Sequence, residues 1–146
     1  MLSSSCRYGI RAVIYLASLP VGKGKTGIKQ ISKDLDLPTP FLAKILQQMV
    51  KEKILNSSKG PHGGFSLLKD PAVITLLDIV KTIDGDKIFT SCIMHNETCK
   101  SVVRNKKPCP IHDEFSVVRN SIIRLFKSRT IEDIVNAAKK SGKVTM

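Results

Sequence analysis

The apolar positions near the start of the chain recur with a helical period. From about Ser5 to Leu19, Ile10, Val13, Ile14 and Ala17 line one face while Tyr8, Ala12, Tyr15 and Leu19 cover another, and a helix apolar on two faces belongs at the centre of a fold. The stretch "PVGKGKTG" ends it with Pro20 and three glycines; Ile28, Ile31 and Leu35 then predict a short second helix that stops before Pro38. Thr39 reads as the N-cap of a third helix with Pro40 at its first position, and Leu42, Ile45, Leu46, Met49 and Val50 form its buried stripe. The opposite face of that helix carries Phe41, Ala43, Lys44, Gln47, Gln48 and Lys51. These are side chains suited to phosphates and base edges rather than to a core.

In "ILNSSKGPHGGFSLLKD" two short apolar runs flank a turn-forming centre, which predicts a β-hairpin with a glycine-rich tip, Gly60, Gly63 and Gly64 supplying positive φ. Helix, helix, helix, hairpin in this order is a winged helix, and the "DLP" turn makes helices two and three a helix-turn-helix. Thr75 and Asp78 form a capping-box pair ahead of "LLDIVKTI", a helix closed by Gly85. Past Pro110, the residues Ile111, Phe115, Val118, Ile122 and Leu125 recur at spacings of four and three, the seam of a long helix that packs on another long helix. No second long helix is predicted, so its partner is expected to be its own copy. Thr130 and Asp133 cap a last helix, "IEDIVNAAKK". The expected fold is mainly α with a small β-hairpin wing: a winged helix-turn-helix over residues 1–84, a cysteine-rich loop over 85–110, and a dimerisation helix with a C-terminal helix over 111–146.

Charge sharpens this. A net charge of +12 on 146 residues exceeds what solubility requires and points to a polyanionic partner. Residues 1–70 hold eleven basic and four acidic residues, and residues 71–146 hold thirteen and eight, so the excess leans toward the winged helix. Any single lysine is ordinarily a solvated one. As a constellation, Lys29, Thr39, Pro40, Phe41, Lys44, Gln47, Gln48, Lys59 and His62 are expected to face double-stranded DNA. The apolar segment "YGIRAVIYLASLP" is short and interrupted by Arg11, so neither a membrane span nor a signal-peptide core is expected, and the chain is expected to be cytoplasmic. No catalytic triad, paired carboxylates, P-loop or dinucleotide fingerprint is present, so an enzyme is not expected.

Three of the four cysteines fall in "SCIMHNETCKSVVRNKKPCPIH". In a reducing compartment such a cluster reads as metal ligands or a redox sensor before it reads as disulfides. Six residues separate Cys92 from Cys99 and nine separate Cys99 from Cys109, while Cys109 and His112 stand at the C-x-x-H interval that lets two side chains reach one metal. A structural zinc site is usually built from two tight pairs; Cys109 and His112 are read as the one tight pair, which leaves zinc open but disfavoured. Lys100, Arg104, Lys106 and Lys107 crowd the loop and favour thiolates. Inert core cysteines fit poorly in so polar a stretch.

The chain resembles the Rrf-two family of bacterial winged-helix regulators over nearly its whole length. The resemblance is carried by "SCRYGIRAVIYLA", "ISKDLDLPTPFLAKILQQMVKEKIL", "SSKGPHGGFSL" and the three cysteines before a long helix. It implies a homodimeric transcription factor, usually a repressor, that binds operator DNA and senses iron–sulfur supply, redox state or nitric oxide. By position Cys92, Cys99 and Cys109 match the family's cluster cysteines, and His112 matches the histidine that follows the third. A [2Fe–2S] cluster is favoured over [4Fe–4S], and an aerobic preparation can lack it. Nitric-oxide-sensing members take a carboxylate from the first helix of the other subunit, where this chain has Arg7 beside Cys6; Ala43 stands where some members carry an acidic base-reading residue. A cluster-free thiol switch and a zinc-stabilised nucleic-acid-binding or interaction module are the alternatives.

Overall fold

The computed structural model describes residues 2–104 and 109–141. Eight helices and one hairpin are seen among them, in the order α1 (Ser4–Ser18), α2 (Ile28–Leu35), α3 (Thr39–Lys51), β1 (Leu55–Ser58), β2 (Gly64–Leu67), α4 (Leu76–Asp84), α5 (Lys87–Thr90), α6 (Cys99–Arg104), α7 (His112–Ser128) and α8 (Ile131–Lys140). The mainly helical winged-helix class expected from the patterning is the class observed.

Helix α1 is central, as its two apolar faces require. It packs on α2, α3, α4 and α8, and Ala12, Val13 and Leu16 are buried with Ile31 and Leu35 of α2 and Leu42, Ile45, Leu46 and Met49 of α3. Val50 lies at the margin of this core, half-buried. At Gly9 the helices approach so closely that a Cβ would collide with Ile83 and Met49. Glycine there is a packing requirement.

Between α2 and α3 the chain reverses through Asp36 in the left-handed region (φ 51°), with Leu37 N donating to Ser32 O at 3.0 Å. The expected N-cap moves by one residue. Pro38 occupies the cap position, Thr39 is the first helical residue and Pro40 the second, with no side-chain cap. The Thr39 hydroxyl is engaged across the turn with Ser32 Oγ at 2.8 Å. It braces the helix-turn-helix instead of closing the helix end.

The strands pair antiparallel from Leu55 with Leu67 to Ser58 with Gly64. Thr26 and Phe65 exchange backbone hydrogen bonds of 2.9 Å in both directions, anchoring the hairpin to the loop before α2. Gly60 and Gly64 have the expected positive φ (103° and 147°). Gly63 does not: it is required because a Cβ would press on the Ser58 carbonyl.

Thr75 and Thr130 form complete capping boxes with Asp78 and Asp133. Two features depart from the three-part division of the chain. The stretch read as a loop holds α5 and α6. And α8 folds back on α1, with Ile131 and Val135 in the winged-helix core and Ile131 N donating to Ile74 O at 2.8 Å. A second core joins α1, α4, α5 and α7 through Cys6, Val80, Phe89 and Phe126, the two phenylalanine rings meeting edge-on at 6.1 Å. The long α7 therefore rests one face on its own chain.

Candidate functional site

The exposed face of α3 is as the periodicity predicts: Phe41, Lys44, Gln47, Gln48 and Lys51 are all exposed, and Ala43 is half-buried. Lys29 of α2, Gln47 of α3 and Lys59 of the hairpin line one open groove of about 700 Å³ between the helix-turn-helix and the wing. His62 is exposed at the wing tip. Gln48 differs from its neighbours. Its amide donates to the Thr82 carbonyl of α4, so the side chain is turned along the protein surface rather than outward. Phe41, 58% exposed, caps a smaller pocket with Pro40, Lys44 and Ile83.

The cysteine segment is tied together by Cys92, Cys99 and Val102, all buried, with Cys109 packed against them. Cys92 N donates to Glu97 O at 2.9 Å, closing the turn that carries the first thiol back under α6. Cys92 Sγ lies 3.6 Å from Cys109 Sγ and 3.3 Å from His95 Nδ1. The ligand atoms of Cys92, His95 and Cys109 all fall within 4.8 Å of one another. Hydrogen bonding from the His95 ring, then from the Met94 backbone, brings the Cys92 thiol down to about 6, making it a thiolate at neutral pH. Burial, and then the bond to Cys92, moves the Cys109 thiol upward.

Cys99 faces a different neighbour. Arg119 of α7 directs Nη1 at Cys99 Sγ (2.8 Å) and at Ser91 O (3.4 Å), while its guanidinium sits 5.4 Å from the Phe115 ring centre. His112 lines a cavity of about 420 Å³ with Cys99, Val103 and Arg119, and its Nδ1 is buried without a hydrogen-bond partner. The three cysteines are thus brought together, with His95 beside Cys92 and Cys109 and His112 beside Cys99. A sequence signal for His95 exists. Cys92-x-x-His95 repeats the interval of Cys109-x-x-His112, so the segment holds two tight pairs rather than one. Of the basic residues that crowd the segment, Lys106 and Lys107 lie outside the described residues.

Cys6 is a core thiol. It is fully buried, and burial together with the nearby Asp84 pushes it up to about 12. Arg7 is exposed and donates to Ser4 Oγ at 3.3 Å within its own helix.

On α7 the predicted seam divides. Ile122 turns into the second core and Phe115 is half-buried beneath Arg119. Ile111, Val118 and Leu125, spaced by seven, remain 40%, 54% and 50% exposed, and Val117 beside them is 66% exposed. An apolar stripe this regular is left uncovered by the single chain.

The sequence matches the Rrf2 family, described as an iron-dependent transcriptional regulator, over residues 2–137. The chain belongs to the Rrf2 family. This is the Rrf-two resemblance carried by the sequence motifs, and Rrf2 proteins are transcriptional regulators rather than enzymes. Among relatives, a protein of Aquifex aeolicus (strain VF5) assigned as an HTH-type transcriptional regulator is 32% identical over 141 residues, covering 96% of this chain and 94% of its own. The Rrf2 fold is shared with CymR (YrzC), the global cysteine regulator of B. subtilis (TM-score 0.76, 23% identity, 94% of this chain and 97% of that one). It is shared too with T. potens IscR (TM-score 0.69, 23% identity, 97% and 90%). This Rrf2 chain is accordingly a DNA-binding regulator, and among its described residues no helix is long and apolar enough to cross a membrane.

Proposed function

We propose that this Rrf2 protein is a homodimeric operator-binding regulator whose DNA affinity is set by the state of its cysteine segment, with an iron–sulfur cluster as the sensed group. The observation that carries this is Arg119. One side chain of α7 reaches both the Cys99 thiol and the Ser91 carbonyl, so whatever reorganises the thiols also acts on the helix whose exposed stripe would meet the second copy.

The donor set suits a soft metal centre. Three thiols share one small patch, a guanidinium stands ready to offset thiolate charge, and the His112 ring has a buried nitrogen with no partner. Cys92, Cys99 and Cys109 would hold a cluster, with His112 as the fourth ligand, and the cluster would supply reactivity toward oxidants and nitric oxide. The protein's part is mechanical and electrostatic. Lys29, Lys44 and Lys59 hold the phosphates, Gln47 reads base edges, and α7 sets the spacing of two recognition helices.

Coupling between such a site and DNA typically amounts to about 1–3 kcal/mol, a change of roughly 5- to 150-fold in affinity. The test is a pair of operator titrations on matched samples, one reconstituted anaerobically with iron and sulfide and one apo. A shift in affinity that Cys92→Ser, Cys99→Ser or Cys109→Ser abolishes is the expected result; identical affinities at every operator would reject the reading.

A second reading, a cluster-free thiol switch, is favoured by the 3.6 Å separation of Cys92 and Cys109 and the thiolate character of Cys92. Hydrogen peroxide would take two electrons from the pair, joining the two sulfurs and releasing two waters. Peroxide treatment of iron-free protein that alters operator affinity in wild type but not in Cys109→Ser would support it.

A further inference from the structure

We infer that, without a cluster, Cys92, His95 and Cys109 form a binding site for a single thiophilic divalent cation of the zinc type. The inference concerns the iron-free protein and stands or falls separately from cluster sensing.

A tetrahedral zinc with metal–sulfur bonds of about 2.3 Å and metal–nitrogen bonds of about 2.0–2.1 Å places two sulfurs ~3.8 Å apart and a sulfur and a nitrogen ~3.6 Å apart. The observed Cys92–Cys109 and Cys92–His95 separations are 3.6 and 3.3 Å, and all three donor atoms converge within 4.8 Å. The Cys92–Cys109 and Cys92–His95 separations match a shared ion to within ~0.3 Å, and drawing Cys109 and His95 toward each other completes the site. An iron–sulfur cluster asks for something else. Its four protein ligands are shared among two or four irons, so at most two meet at one metal, the remaining positions being sulfide. Three protein donors around one point are the ligand set of a mononuclear centre.

The chemistry of the donors agrees. Two thiolates and an imidazole neutralise a divalent cation and match the soft-ligand preference of zinc over magnesium or calcium. Each histidine of the segment follows a cysteine at the C-x-x-H interval, but only the first pair contributes both its members to the site. Cys99 is withheld by Arg119 Nη1 at 2.8 Å, and His112 lies across Cys99 in the neighbouring cavity. With three protein ligands the fourth position falls to solvent or to a small exogenous ligand, the arrangement of an open rather than a closed zinc site. Because Cys92 and Cys109 also belong to the candidate cluster ligands, cation and cluster would exclude each other.

The experiment is a titration of chelator-treated, reduced, full-length protein with Co²⁺ under anaerobic conditions, with neither iron nor sulfide present. One Co²⁺ per chain is expected, giving the intense visible bands of tetrahedral cobalt and a near-ultraviolet thiolate-to-cobalt band, both erased by zinc. His95→Ala should weaken binding by at least about 10- to 100-fold, since loss even of an outer-shell partner has that effect. His95→Cys should restore a tetrahedral spectrum with a stronger thiolate band, while His112→Ala and Cys99→Ser should bind as wild type does. Weak six-coordinate spectra in wild type, wild-type affinity in His95→Ala, no recovery in His95→Cys, or an equal loss in His112→Ala would each overturn the assignment. Operator titrations of cluster-loaded protein are untouched by any of these outcomes, so the two readings fail separately.

Discussion

Leu125→Asp should convert the protein to a monomer and take operator affinity with it. Leu125 is 50% exposed in the single chain, Val118 54%, Val117 66% and Ile111 40%. Burying what remains of these four side chains would remove ~350 Å² of apolar surface per copy, or ~17 kcal/mol for the pair at about 25 cal/mol per Å². Association itself costs ~4–15 kcal/mol, so the net for the dimer is ~2–13 kcal/mol. Leu125 accounts for ~90 Å² of that area in each copy, so replacing it in both removes ~4–5 kcal/mol before any cost of desolvating two carboxylates is counted. A dimer with a micromolar dissociation constant would move by about three orders of magnitude, to millimolar. Sedimentation velocity at about 20 µM should then show only monomer, and fluorescence polarisation on a two-half-site operator should show the loss of tight binding. Asn136→Asp, on the exposed side of α8, adds the same charge elsewhere and should change neither measurement. A wild type that is already monomeric, or a Leu125→Asp protein that stays dimeric, would refute the reasoning. Phe115 is a poorer choice for this test, because it is half-buried beneath Arg119 and its loss would disturb the cysteine contact as well.

Lys59→Ala should weaken operator and non-specific DNA binding alike and reduce the salt slope by about one, whereas Gln47→Ala should change the preference among operator bases; equal behaviour of the two variants in salt titrations would contradict the assigned DNA face. The Cys92 thiol, held down to about 6, should give a far-ultraviolet thiolate signal, absent in Cys92→Ser, that appears through pH 6 in reduced metal-free protein. Because the unfolded thiol keeps its proton up to about 9.0, folding releases a proton between those values; the resulting stability grows as pH rises through this window and is lost as pH falls through about 6. A midpoint near 9 would remove the role given to His95. Thr130→Ala opens the capping box that starts α8 and should cost about 1 kcal/mol, lowering the melting temperature by about 3–4 °C in a calorimetric scan. Gly64→Ala forces a side chain against the Thr26 backbone at φ 147° and should loosen the wing, read as faster amide exchange at Thr26 and Phe65.

Much of this architecture is written in short-range pattern. The two-faced α1, the stripe on α3, the glycine-rich hairpin tip and the two Thr-x-x-Asp boxes are local matters of period, turn chemistry and capping. The sequence alone determines them because the residues that decide each element lie within one or two turns of it. The winged-helix class follows from their order, and so does the exposure of Lys44 and Gln47. Even where the cap of α3 falls one residue early, the helix itself stands, since Pro38 already holds the φ that a helix start needs.

What the tertiary structure decided are meetings between residues far apart in the chain, which no period encodes. Ile122 belongs to the α7 seam by spacing but is drawn inward because Cys6, Val80 and Phe126 offer it a core. Helix α8 returns to α1 because its Ile131 and Val135 find apolar partners there. Gln48 sits on the open face of α3 by pattern, yet its amide finds the Thr82 carbonyl across 34 residues of chain. The same holds for the thiols: Cys92 and Cys109 are separated by 17 positions and stand 3.6 Å apart, and which histidine joins them depends on the turn that carries His95 back onto Cys92. Spacing specifies which donors are available. Only the packed chain determines which of them converge, because convergence depends on how α5, α6 and α7 stack, and that stacking is settled by burial rather than by motif.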